Sequence, residues 1–233
     1  MTSAVHLRAA VALAGHFPAL SGVDLSVATG EVVAVLGPNG AGKTSLLRAC
    51  AGLVPVTSGE AVVLGVDVRE DRSAARRAVG LLGHDAALYD ELTAAENVRF
   101  AVRAAGVAGS RAGPALERCG ITGRLARTPV VRLSAGQRRR CALAVLVARA
   151  PQLWLLDEPH AGLDASARAL LGELLGEVAG AGGTVLVSSH EADLVVPLAD
   201  RVVVMAGGRV AEERAGGRRP KLTTVGEDDV DVA

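Results

Sequence analysis

Gly37-Pro38-Asn39-Gly40-Ala41-Gly42-Lys43-Thr44 has the spacing G-x-x-x-x-G-K-[ST]. That spacing suits the capture of a polyphosphate. Glycines let the backbone wrap closely and aim successive N–H groups at phosphate oxygens. Lys43 brings a point charge to the outer phosphates, Thr44 offers a hydroxyl to Mg²⁺, and Ser45 stands directly behind them. The β-branched run Val32-Val33-Ala34-Val35-Leu36 leads in, and the helix-compatible run Ser45 to Cys50 leads out. This is the strand–loop–helix context the pattern requires. A helix starting near Lys43 adds its positive N-terminal end. The competing reading is a glycine-rich turn with no ligand, and the fit of motif and context together speaks against it.

Two further stations carry chemistry. Leu155-Leu156-Asp157-Glu158 sets two carboxylates at the end of an apolar run, where open α/β sheets bind ligands. This fits a Walker B element, with Asp157 holding Mg²⁺ and Glu158 polarising an attacking water. Alone, the pair reads equally well as a strand ending in solvated acids. Leu133-Ser134-Ala135-Gly136-Gln137 offers a hydroxyl and a glycine backbone at a helix start. That is an N-cap before the basic stretch Arg138-Arg139-Arg140, and it is also a phosphate site in its own right.

These residues must be positioned by one large α/β unit or two small ones, since the chain has 233 residues. Half of them are hydrophobic but only 2% are aromatic, so the core must be built from Ala, Val and Leu. Lys+Arg 25 balance Asp+Glu 25, which gives no electrostatic footprint for a nucleic-acid partner. Cys50, Cys119 and Cys141 are widely spaced and read as buried thiols rather than a disulfide scaffold or zinc site. No apolar run approaches the ~18 residues of a membrane helix. The apolar start reads as a first strand rather than a signal peptide, because its pattern continues toward the phosphate loop.

In chain order, Val5 to Val27 predicts two strands around a turn at Ala14-Gly15-His16. Thr57-Ser58-Gly59-Glu60 reads as a turn into a strand over Ala61 to Leu64, followed by a helix over Arg72 to Arg77 and a strand over Val79 to Gly83. Residues 84–150 change character, with helical runs at Ala94 to Ala104, Pro114 to Cys119 and Ser134 to Ala148. We expect a helical insertion there. Strands at Leu153 to Leu156, Thr184 to Val187 and Val202 to Met205 resume the core, with a helix over Ala165 to Ala179. Strand–helix alternation implies a mostly parallel sheet covered on both faces. The expected division is an α/β core over 1–83 and 151–211, a helical part over 84–150, and a flexible charged tail over 212–233.

With these motifs together, residues 5–211 resemble the ATP-binding subunit of an ABC transporter. Ser134 to Gln137 are similar to that family's signature, with Ala135 in place of its first glycine. Asp157-Glu158 match its Walker B acids, Ala161-Gly162-Leu163-Asp164 its D-loop, and His190 its switch histidine. The resemblance implies a P-loop NTPase (RecA-like) core with an antiparallel β part and an inserted helical subdomain. It implies ATP and Mg²⁺ as ligands and ATP hydrolysis as the reaction. It also implies a polytopic membrane permease, a second ATPase subunit donating Leu133 to Gln137 in trans, and residence on the cytoplasmic face of the cell membrane. Two positions depart from the pattern. Where the family carries glutamine this chain has His84, expected beside Mg²⁺ and the outer phosphate, its neutral imidazole accepting from metal-bound water. Leu82-Gly83-His84 with Leu133-Ser134-Ala135-Gly136-Gln137 resembles the haem-exporter (cytochrome c biogenesis) subgroup. The family's adenine-stacking aromatic falls near Ala14, leaving His16 or Phe17 to stand in.

Two other readings compete. A soluble ABC-type ATPase acting on nucleic acid or ribosomes usually has two nucleotide domains or coiled-coil arms, and this chain has a single phosphate loop and no heptad run. A P-loop kinase leaves Ser134 to Gln137 and His190 unexplained.

Overall fold

A computed structural model describes residues 3–15, 17–83 and 87–218. It contains two sheets. The larger has the order β10-β9-β3-β8-β7-β6, formed by Arg209–Ala215, Arg201–Ala206, Val32–Leu36, Thr184–Ser189, Leu153–Asp157 and Val79–Leu82 respectively. β9, β3, β8, β7 and β6 run parallel, and β10 is an antiparallel edge. The smaller sheet is antiparallel, order β2-β1-β4-β5, from Phe17–Ala28, Ser3–Ala14, Val56–Val63 and Val66–Asp67. The expected mostly parallel sheet with an antiparallel part is therefore present.

The parallel strands are apolar throughout because both of their faces are covered. Along β3, Val32, Ala34 and Leu36 enter one core, while Val33 and Val35 enter the other. Along β7, Trp154 and Leu156 take the first side and Leu153 and Leu155 the second. The first core is closed by helices α3 (Ala94–Ala104), α4 (Ala112–Arg118), α6 (Ala135–Arg149) and α7 (Ala165–Gly180). The second lies between the two sheets around α1 (Lys43–Cys50). The short helices α2 (Arg72–Ala78), α5 (Gly123–Ala126) and α8 (Ala192–Val195) complete the element list. Capping boxes start α3, with Thr93 and Glu96, and α6, with Ser134 and Gln137. Buried Asn97 accepts from Tyr89 N–H and donates to the Tyr89, Leu92 and Thr93 carbonyls, fixing the approach to α3.

Two expectations are corrected. Thr57 to Glu60 is not a turn: it belongs to β4, which pairs with β1 through Val11↔Ser58 and Arg8↔Glu60. Two register shifts fall here instead: Ala9 and Ala10 of β1 face the single residue Gly59, and Thr57 is an extra residue of β4. Gly59 has φ 82 and its Cα faces the Ala9 backbone so closely that a Cβ would collide there. The tail does not begin at residue 212, because β10 continues to Ala215 and Arg218 bonds Asp200 at 2.9 Å. β10 was illegible because six of its seven residues are exposed and four are charged, as suits an edge strand. Residues 219–233, which hold the acidic run, lie outside the described part.

Candidate functional site

The phosphate loop leaves β3 with Gly37 at φ 144, where a Cβ would strike the Met205 carbonyl. It enters α1 through Gly42 at φ 102, which caps the helix with no side-chain hydrogen bond. The first N–H groups of α1 therefore have no local side-chain acceptor and are suited to an anion. Lys43 is buried, and its ammonium donates to the Gly37 carbonyl at 2.7 Å and the Pro38 carbonyl at 3.1 Å. A cavity of about 500 Å³ opens here, lined by Asn39 to Ser45 together with Pro18, Ser21, Glu158 and Gly208.

β8 lies between β3 and β7, yet the loop reaches across to β7. The Thr44 hydroxyl donates to Asp157 Oδ2 at 2.8 Å, and the buried Ser188 hydroxyl donates to Asp157 Oδ1 at 2.6 Å. One residue on, Glu158 turns at φ 46, with its N–H bonded to the Ser188 carbonyl at 3.1 Å. The Glu158 carboxylate meets His190 Nδ1 at 3.0 Å. Lys43, Thr44, Ser45, Asp157, Glu158 and His190 are thus one constellation. Ser188 was missed, since a serine at the end of an apolar strand carries no motif. The Gly207-Gly208 turn between β9 and β10 was missed for the same reason, and it borders the cavity.

Ser134 to Gln137 stand apart. They do not line that cavity, and Ser134 is exposed on the tip of α6. The Ser134 hydroxyl accepts from Gln137 N–H at 3.2 Å, and Gln137 Oε1 accepts from Ser134 N–H at 3.0 Å. They neighbour the Asp164 loop: a Cβ on Gly136 would lie 3.3 Å from the Gly162 carbonyl, and Arg140 meets Asp164 at 3.3 Å. Asp164 caps α7, accepting from Ala167 N–H and the Ser166 hydroxyl. Those bonds, led by Ala167 N–H, hold its carboxyl below the usual range. Arg139, read only as part of a basic stretch, is buried beneath the Asp157–Pro159 turn.

His84 and His16 lie outside the described residues. Phe17 is 79% exposed, next to the cavity-lining Pro18. The three cysteines are free and buried, with burial pushing the Cys50 and Cys119 thiols up to about 12 and Cys141 to about 11. No helix among the described residues is long and apolar enough to cross a membrane.

Residues 20–161 match the family model described as ABC transporter. The chain is 42% identical over 211 residues to the Fe(3+) ions import ATP-binding protein FbpC of Streptomyces avermitilis, a match covering 88% of this chain and 61% of that protein. It spans 57% of the sulfate/thiosulfate import ATP-binding protein CysA of Brucella melitensis, at 40% identity over 84% of its own length. It is 45% identical over 186 residues to the cytochrome c biogenesis ATP-binding export protein CcmA of Bordetella bronchiseptica, covering 78% of this chain and 82% of that protein. The fold is similar to the dimeric post-hydrolysis ATP-binding cassette MJ0796 bound to ADP and Pi, with TM-score 0.84 at 27% identity, covering 92% of this chain and 99% of that one. With the phosphate loop, the Asp157-Glu158 turn and the signature segment assembled on this fold, the chain belongs to the ABC transporter family and carries its ATPase domain.

Proposed function

We propose that this chain binds and hydrolyses MgATP to power a separate polytopic membrane permease, which it meets as a peripheral subunit on the cytoplasmic face of the cell membrane. One observation carries the reading: Glu158, held in a left-handed turn, directs its carboxylate to His190 beside the lysine and hydroxyl of the phosphate loop. The Thr44 hydroxyl and the Asp157 carboxylate, 2.8 Å apart, form a hard-oxygen pair of the kind Mg²⁺ prefers. Bound there with the nucleotide, Mg²⁺ would neutralise charge on the outer phosphates. Lys43 is the residue to exchange its two carbonyl acceptors for phosphate oxygens. Glu158 accepts the proton of the attacking water, and His190 fixes the orientation of that carboxylate.

The surface fits a partner. A groove of about 560 Å³ runs between α3, α6 and β6, lined by Leu88, Tyr89, Phe100 and Leu146 and rimmed by Arg76 and Arg149. Tyr89 and Phe100 pack edge to face at 5.0 Å, and both are about half exposed. Exposed aromatic anchors in an apolar groove suit a helical segment of a permease. A second ATPase subunit supplies Ser134 to Gln137 to the nucleotide held by this chain. The cargo reading is haem export in cytochrome c biogenesis, supported by the likeness to CcmA.

The test of the chemistry is the Glu158→Gln variant. It should keep ATP binding and lose turnover by about 10²–10⁴-fold, the cost of a missing general base. Near wild-type turnover removes Glu158 from this role. The test of the cargo is ATPase stimulation in the purified membrane complex by haem against ferric ion and sulfate. Stimulation by either of the latter alone rejects haem.

A further inference from the structure

One buried guanidinium, that of Arg139, makes its hydrogen bonds to main-chain carbonyls alone among the described residues. It lies on the second turn of α6, five residues past the cap Ser134, and is buried. A guanidinium taken out of water needs every donor satisfied. Arg139 forms no ion pair among the described residues and spends its donors on main-chain carbonyls. Its Nη2 donates to the carbonyls of Asp157 and Glu158, both at 2.9 Å. Its Nε reaches the Pro159 carbonyl at 3.4 Å, and its Nη1 bonds the Gly83 carbonyl at the end of β6.

Three of these carbonyls are consecutive, and the middle one belongs to the residue we assign as the base. That residue sits at φ 46, a backbone conformation side-chain-bearing residues rarely hold unless their surroundings enforce it. From the β8 side, the Ser188 carbonyl accepts from Glu158 N–H. From the opposite side, Arg139 supplies the only side-chain donors to the turn's carbonyls among the described hydrogen bonds. The rigid planar fork is what allows one side chain to serve neighbouring carbonyls, and a lysine has no such fork. A further consequence follows from where the side chain is rooted. α6 is capped by Ser134, in the segment proposed to face the partner's nucleotide, while the turn carries Glu158, which faces this chain's own nucleotide. Arg139 spans the two.

We propose that Arg139 is a positioning residue: through the Asp157–Pro159 carbonyls it ties the signature helix α6 to the catalytic turn, so that Glu158 is aimed when α6 is seated. This rests on Glu158 being the base. Arg139 itself touches neither nucleotide nor water. Displacing α6 moves the fork, and the turn then relaxes away from the left-handed conformation.

The experiment compares Arg139→Lys and Arg139→Gln, each in the parent and in the Glu158→Gln background, using the full chain in its membrane complex with MgATP. Binding of ATP, single-turnover hydrolysis and thermal melting are all measured. In the parent background, both variants should lower kcat about tenfold or more, with KM for ATP within about twofold, since misplacement of a reacting group costs rate rather than ground-state binding. In the Glu158→Gln background, neither should lower residual hydrolysis further, because no base remains to be aimed. A purely structural role would reduce both backgrounds alike. Equal losses in the two backgrounds, or a parental kcat for Arg139→Lys, overturn the inference while leaving Glu158 in its role. Parental turnover in Glu158→Gln alone overturns both.

Discussion

The Thr44 hydroxyl donates to Asp157 Oδ2 at 2.8 Å, across 113 residues of sequence and one intervening strand. Asp157 thereby has one oxygen held by Thr44 and the other by Ser188. Two side-chain donors thus fix the orientation of the Asp157 carboxylate, which favours taking up a cation with little rearrangement.

Thr44→Val should separate metal binding from nucleotide binding. The methyl-for-hydroxyl change keeps the shape of α1 but removes one hard oxygen and leaves Asp157 Oδ2 without its donor. Metal-free ATP should bind as in the parent, while the gain in affinity on adding Mg²⁺ should fall about 10–100-fold, the usual cost of disturbing a metal site's supporting contacts. Titration of a fluorescent ATP analogue with and without Mg²⁺ measures both. An undiminished Mg²⁺ effect removes Thr44 from the metal's surroundings.

His160 should make stability fall with acid. It is buried, and its Nδ1 has no hydrogen-bond partner among the described residues. Burial first, then the charge of Arg168, depresses its pKa, against weaker opposition from Glu191 and Glu158. The folded state thus holds the neutral imidazole, while the unfolded chain takes up a proton near pH 6.5. Where the unfolded state binds more protons, stability rises with pH. The contribution is complete above about pH 6.5 and is lost as pH falls from there toward the folded-state pKa. Melting temperatures between pH 7.5 and 5.5 should decline, and His160→Gln should flatten that decline. An identical slope in the variant would show that other groups set it.

Leu156→Ala should destabilise the chain by about 2–5 kcal/mol, the range for a leucine lost from a close-packed core. Leu156 is fully buried in the helix-covered core, one residue before Asp157, and so also anchors the Asp157 end of β7. Trp154, the single tryptophan, lies in the same core and reports unfolding in urea by fluorescence. A loss well under 1 kcal/mol would mean that the surrounding helices collapse into the vacancy.

The residues that announce themselves in sequence do so through backbone demands. Gly37 and Gly42 sit at positive φ where a side chain would collide, so their spacing is rigid and legible. The parallel strands are legible because burial on both faces makes them apolar without interruption. What escaped notice was set by long-range packing. Ser188 becomes a partner of Asp157 only when β8 lies beside β7. Arg139 looks like one of three surface arginines until the Asp157–Pro159 turn is laid over it. Gly59 advertises a turn but lies in a strand opposite the bulge at Ala9-Ala10, since local composition cannot distinguish the two without the pairing of β1 with β4.

The in-trans assignment of Ser134 yields the final prediction. Lys43 is buried in the phosphate-loop cavity, while Ser134 is exposed at the tip of α6 and does not line that cavity. The proposed head-to-tail pair would bring Ser134 of one chain to the phosphate held by Lys43 of the other. Consider Lys43→Ala in one chain and Ser134→Arg in another. A pair of identical Lys43→Ala chains has two defective phosphate loops. A pair of Ser134→Arg chains has two defective signature segments. In the mixed pair, Lys43 of the second chain faces Ser134 of the first, which leaves one composite site whole. Magnesium-dependent ATP trapping should be near zero in each variant alone and should return on mixing, up to one ATP per mixed pair. Trapping is the better measure because steady turnover can require both sites. Differently tagged chains, co-purified in the membrane complex, establish that mixed pairs exist. If mixed pairs form and trap no ATP, Ser134 acts within its own chain and the head-to-tail arrangement is wrong.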